Sequence, residues 1–175
     1  MKVRKKKVIY ILLLTTILFI SILHLTPKSF DEILQMDRYK ITSISCVAYV
    51  SGVMSGGETF IDAYSLNSLS REDDSFHYIN DVLFGSAYRS DFRNLIPITT
   101  TFISTGNYNK ELVNIFLNWG NEENEKCFMI LNGNYVIISI GETERYLRYH
   151  LTDSAIFEKI VSYVQENGKR FTNNL

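Results

Sequence analysis

Three patterns of apolar and polar positions divide this chain. Residues Val8 to Leu25 run without Asp, Glu, Lys or Arg. From Arg38 onward short stretches alternate with a period of two, and two further stretches repeat at three- and four-residue steps. The first pattern predicts a membrane-crossing helix, because an 18-residue segment rises roughly 27 Å against a hydrocarbon core about 30 Å thick. Lys2, Arg4, Lys5, Lys6 and Lys7 precede the run and only Lys28 follows it closely, which assigns the N-terminal side to the cytoplasm. A cleaved secretory signal needs small residues at the third and first positions before the cut. Ser21-Ile22-Leu23 and His24-Leu25-Thr26 both fail that test, so the run is expected to persist as a signal anchor.

The alternating and helical patterns predict the rest. Ser29 and Glu32 have capping-box spacing and predict a short helix from Phe30 to about Met36, read as a stalk leaving the membrane. Ile44, Cys46, Ala48 and Val50 alternate with Ser43, Ser45, Val47 and Tyr49 in a first strand within 38–50. Gly52 to Gly57 form a loop, and Thr59 to Tyr64 return antiparallel. After the polar stretch Asn67 to Asp74, Ser75 caps a helix in which Phe76, Ile79, Val82 and Leu83 share a face, ending between Gly85 and Tyr88. Leu95 to Ile103 is rich in β-branched residues, and Pro97, lacking an amide donor, confines this strand to an edge or to its own start. Leu112 to Trp119 alternates with Val113, Ile115, Leu117 and Trp119 toward the core.

Asn132-Gly133 between Cys127–Leu131 and Tyr135–Ile140 predicts a hairpin with a type I′ turn, whose two central residues need positive φ. Arg145 to Leu151 extends the sheet. Asp153 caps a final helix with Phe157, Ile160, Val161 and Val164 in one stripe, stopped by Gly168. Strands in runs between helices predict an α+β fold. An N-terminal transmembrane helix is followed by a two-layer domain with a mostly antiparallel sheet and helices on one face. The expected organisation is a cytoplasmic basic tail at 1–7, the anchor at 8–25, a stalk helix at 26–37, an extracytoplasmic domain at 38–168 and a frayed tail at 169–175.

Charge sharpens the functional picture. The chain holds 18 basic and 19 acidic residues; without the five N-terminal cations, 13 face 19, a net charge of −6 outside the membrane. That argues against nucleic acid as a partner and against a polybasic membrane-surface binder. Eleven Tyr and eleven Phe, with many Ile, Val and Thr, favour a sheet over a helical bundle. Cys46 and Cys127 are compatible with one disulfide in an oxidising compartment, but each lies in a strand-like apolar run, where two packed free thiols are the preferred reading. No CxxC supports redox chemistry or structural zinc.

Candidate chemistry is sparse. His77 and Asp81 stand four apart on the second predicted helix, where a carboxylate can orient an imidazole, but no nucleophile or metal ligand accompanies them. His150 is expected on the outward side of a strand. Ser55-Gly56-Gly57 lacks the Gly-x-Ser spacing of a nucleophile elbow, and Glu122, Glu123 and Glu125 read as a solvated loop tip. No metalloprotease, Walker A, dinucleotide or calcium-loop motif occurs, so neither catalytic residues nor a metal or cofactor are assigned.

The polar segment Tyr88-Arg89-Ser90-Asp91-Phe92-Arg93-Asn94 is the unusual one. Read as a loop, it offers Tyr88, Arg89, Asp91 and Arg93 as a candidate site in which guanidinium forks clamp a carboxylate or phosphate. Alternatively, Asp91 pairs internally with Arg89 or Arg93 and locks the loop. The Thr-rich strand Ile98 to Ile103 is a second candidate surface, accepting an added strand from a partner.

With the anchor, the Tyr-rich strands, the Asn-Gly hairpin and the closing Tyr149-His150-Leu151-Thr152-Asp153 to Phe157 segment, the layout resembles the small uncharacterised signal-anchored extracytoplasmic proteins of Gram-positive bacteria. The resemblance implies a bacterial cell-membrane location and transfers no functional residue. The sequence therefore leads to a single-pass protein anchored through residues 8–25. Its outer domain is expected to bind a protein or envelope component without catalysis, as an accessory or self-protection protein. A cell-envelope hydrolase and a purely structural tethered domain are the alternatives.

Overall fold

Side-chain alternation along the strands decides which face of the sheet is covered. The computed structural model describes residues 2–53, 59–95, 111–120, 125–141 and 146–171. After helix α1 (Lys2–Leu25) come β1 (Lys28–Ser29), α2 (Phe30–Leu34), β2 (Ser43–Val53), β3 (Thr59–Ser70), α3 (Asp74–Phe84) and β4 (Ala87–Ser90). They are followed by β5 (Leu112–Asn118), β6 (Lys126–Asn132), β7 (Tyr135–Ile140), β8 (Leu147–Leu151), α4 (Ala155–Asn167) and β9 (Lys169–Phe171). The strands form one sheet in the order β1-β4-β8-β7-β6-β5-β2-β3-β9, antiparallel at every pairing. The α+β class and the antiparallel sheet thus follow the patterning of the sequence.

Ile44, Cys46 and Ala48 on β2 are fully buried and lie opposite Leu117, Ile115 and Val113 of β5. Met129 and Leu131 of β6, Val136 and Ile138 of β7, Tyr149 of β8 and Tyr88 of β4 continue the same face. The stripes of α3 (Phe76, Ile79, Leu83) and α4 (Phe157, Ile160, Val164) close over it in one hydrophobic core. Tyr78 and Tyr163 stack between these two helices with centroids 3.9 Å apart.

Several boundaries differ from the sequence reading. The capping box is formed, with the Glu32 amide donating to Ser29 Oγ at 3.3 Å and the Ser29 amide donating to Glu32 Oε2 at 2.7 Å. Yet α2 is not a stalk: Phe30, Ile33 and Leu34 are buried, and Phe30 packs against Phe84 and Tyr88 at 4.9 and 5.4 Å. Burial of these side chains makes α2 part of the domain. Residues 38–40 form a 3-10 turn capped by Asp37 instead of the first strand's start. β3 reaches Ser70, six residues beyond the expected Tyr64, after a register shift opposite Ile44 and Cys46.

The β6–β7 hairpin is present, but its turn is shifted by one residue. Asn132 pairs with Tyr135, and Gly133, at φ 55°, is the first central residue, the position that a type II′ turn reserves for glycine. Lys169–Phe171 do not fray; they pair with Ala63 to Ser65 of β3. Cys46 and Cys127 are free and buried, and β5 lies between their strands. Two strand intervals of ~4.8 Å exceed the Cα separation a disulfide spans. The expected strand at Leu95–Ile103 beyond its first residue, the Ser55-Gly56-Gly57 loop, and Glu122 and Glu123 lie outside the described residues.

α1 is one continuous helix of 24 residues, and its large apolar side chains from Val8 to Ile20, with Ile22 and Leu25, are exposed. Among the described residues no helix is long and apolar enough to cross a membrane. The transmembrane helix expected at 8–25 therefore finds no support among the described helices.

Candidate functional site at the β4–β8 edge

The segment read as a polar loop begins as a strand. Ala87–Ser90 forms β4, inserted between β1 and β8, because Tyr88 and Ser90 alternate inward while Arg89 points to the open face. Four residues of mixed polarity are too few for a period-of-two signal, so the sequence hid this strand. Its consequence for the predicted site is direct. Tyr88 belongs to the core: it is fully buried and its hydroxyl donates to the Leu83 carbonyl at 2.9 Å. Tyr88 therefore leaves the candidate set, whereas Arg89, Asp91 and Arg93 stay together.

Asp91 follows the strand and is nearly buried. Its Oδ1 accepts the Arg93 backbone amide at 2.8 Å and stands 3.7 Å from Arg93 Nε. His150 Nε2–H donates to Oδ2 at 3.2 Å. Burial alone would raise the Asp91 carboxyl. The Arg93 amide, the Arg93 guanidinium and the His150 contact more than offset it and hold the group below the ordinary carboxylate range. The internal lock considered from the sequence is therefore formed by Arg93, and it recruits a partner that the sequence did not suggest, His150.

Register explains the recruitment. Arg89 lies directly opposite His150 on β8, and His150 lies opposite Tyr135 on β7, so the three side chains form one row across the open face. The Tyr135 and His150 rings are 4.7 Å apart. Asn94 completes the corner by standing in for backbone: its Nδ2 donates to the Arg148 carbonyl at 2.6 Å and its Oδ1 accepts the Arg148 amide at 2.8 Å. A single carboxamide thus prolongs the β8 ladder where β4 has ended. His150 does lie on the outward side of its strand, as its pattern predicted, but in contact with Asp91.

The other candidates are dispersed. His77 Nε2–H donates to the Arg71 carbonyl at 2.8 Å, while Asp81 pairs with Arg38 at 3.3 Å, so the two residues on α3 serve different neighbours. His150 has no hydroxyl or thiol hydrogen-bonded to it among the described residues. The corner can orient an imidazole and present guanidinium groups to an anion. It offers no nucleophile for acyl transfer among the described residues. No group of three or more metal-ligating side chains occurs among the described residues.

The remainder of the open face is apolar in the middle. Phe116 and Phe128, 4.7 Å apart, lie on β5 and β6, and Ile130 and Ile137 continue toward Arg148. Compared with family models, with curated proteins and with solved structures, the chain matches none.

Proposed function

We propose that this is a single-pass membrane-anchored protein of a bacterial cell surface. Its α+β domain lies outside the cytoplasm and acts as a non-catalytic binding or accessory domain. Support for the anchor comes from a continuous helix whose first turns carry five basic residues in sequence and whose following apolar side chains are exposed. One observation carries the binding reading: the domain covers one sheet face with helices and gathers Arg89, Arg93 and His150 at the edge of the other, around a carboxylate already satisfied from within. Arg93, positioned by its contact with Asp91, and Arg89, which makes no ion pair among the described residues, are available to an acidic group on a protein or envelope component.

The test is crosslinking in intact cells of the full chain tagged at its C-terminus, followed by detergent extraction. Recovery of one membrane or secreted protein near one-to-one, lost in the Arg89→Ala/Arg93→Ala variant at unchanged melting temperature, supports the reading. Recovery of the same species by both forms removes the arginine corner from it. A variant with a lowered melting temperature and unaltered recovery assigns the corner a structural role.

A further inference from the structure

We infer that the corner formed by Arg89, Phe92 and Arg93 is a juxtamembrane site for the phosphate of an anionic lipid headgroup. The inference rests on the proposed anchoring through α1 and names a ligand for the same arginines. Topology carries the first step. β1 pairs antiparallel with β4, Lys28 opposite Tyr88 and Ser29 opposite Ala87. Traced backward from Lys28, the chain therefore runs alongside Arg89 and Ser90, and only Thr26 and Pro27 separate β1 from the end of α1 at Leu25. Two residues reach at most about 7 Å, and one strand interval adds about 4.8 Å. The helix end and the arginines are thus neighbours by construction, and α1 lies against β4.

Charge carries the second step. Arg89 is exposed on the open face and makes no ion pair among the described residues. Among the described residues Asp91 meets the Arg93 amide and guanidinium and His150 and makes no ion pair with Arg89, and the Arg93 side chain stays about two-thirds exposed (65%). The third step is Phe92. It sits on the 3-10 turn Phe92–Leu95, between Asp91 and Arg93, with 69% of its surface exposed. An exposed aromatic ring flanked by guanidinium groups, beside a helix end, matches a bilayer interface, where rings enter the acyl boundary and cations meet phosphates.

The experiment uses the full chain in vesicles of phosphatidylcholine alone and of phosphatidylcholine with phosphatidylglycerol. Flotation in high salt reports anchoring, and amide hydrogen exchange of residues 87–95 reports the corner. This readout is local, so the basic residues on the far side of the anchor do not contribute to it. Phosphatidylglycerol should slow exchange in this segment by roughly five-fold, the effect of one arginine engaged at an anionic surface. Arg89→Gln/Arg93→Gln should abolish the difference while flotation persists. Arg89→Gln alone, which breaks no described contact, should weaken it with exchange in β5 and β6 unaltered.

Equal exchange in the two lipids, or a difference that survives the double variant, overturns the inference and leaves the anchor standing. The same protection from inorganic phosphate added to phosphatidylcholine vesicles assigns the corner to a free anion and overturns the lipid source. Failure to float with either vesicle overturns the anchor and this inference with it.

Discussion

His150 and Asp91, 59 positions apart in sequence, meet at 3.2 Å and fasten the end of β4 to β8. Their contact has a pH signature. Because the folded Asp91 carboxyl is held below its ordinary range, it contributes stability above its unfolded value, near 4 (about 3.9 for Asp), and that contribution disappears as pH falls through the folded value. The melting temperature, followed from pH 6 downward, should decline more steeply below about pH 4 in the parent than in Asp91→Asn. At neutral pH the variant should be about 1–3 kcal/mol less stable, having lost a nearly buried charged acceptor. Parallel curves for the two proteins would show that the carboxylate does not couple to folding.

Phe30 tests whether the segment after α1 belongs to the domain. Its ring is fully buried between Phe84 and Tyr88, so Phe30→Ala should destabilise the fold by about 3–5 kcal/mol in denaturant titration. A stalk residue would cost almost nothing. Ser29→Ala, removing the cap of α2, should cost about 1 kcal/mol.

Thiol chemistry should be silent until unfolding. Burial pushes both Cys46 and Cys127 up to about 12, so neither carries appreciable thiolate at pH 8. Mass spectrometry after alkylation should find both cysteines unmodified in native protein and both modified in denaturant without any reductant. A requirement for reductant would reveal a disulfide and contradict the strand order.

Gly168 controls the far edge. A Cβ there would lie 2.4 Å from the Val164 carbonyl oxygen and 3.1 Å from the Ser65 carbonyl oxygen, so Gly168→Ala should push β9 off β3. The readout is faster amide exchange at Ala63 to Ser65, with the pairing of β5 to β6 unaffected. Arg170→Ala, which removes the hydrogen bonds from Nη2 to both oxygens of Asp62 at 2.8 and 3.0 Å, should loosen the same strand.

What the sequence displayed and what it concealed follow from the range of the interactions. Periodicity reports burial that a segment decides by itself, so β2, β5, the β6–β7 hairpin, α3 and α4 were legible from Ile44 to Val164. β1, β4 and β9 have two, four and three residues, and they are strands only because neighbours supply their hydrogen bonds. Arg89, Asp91 and Arg93 were visible as an unusual local cluster. His150 was not attached to it, and Asn94, in the same segment, was given no role, since only the β4–β8 register shows their partners. Tyr88 was misplaced for the same reason: inside a strand its neighbours in sequence point the other way.

The strand order also has a mechanical meaning. β1 and β9 are the two margins of a nine-stranded sheet, eight intervals apart, or about 38 Å measured along its surface. With α1 held in a bilayer, tension between the anchor and anything attached at β9 would load the ladders in series, each strand peeling from the next. The margins are the weak links, since three-residue β9 and two-residue β1 would let go before the long β2–β3 pair. Under such a load the sheet would keep a fixed reach and yield first at its two margins.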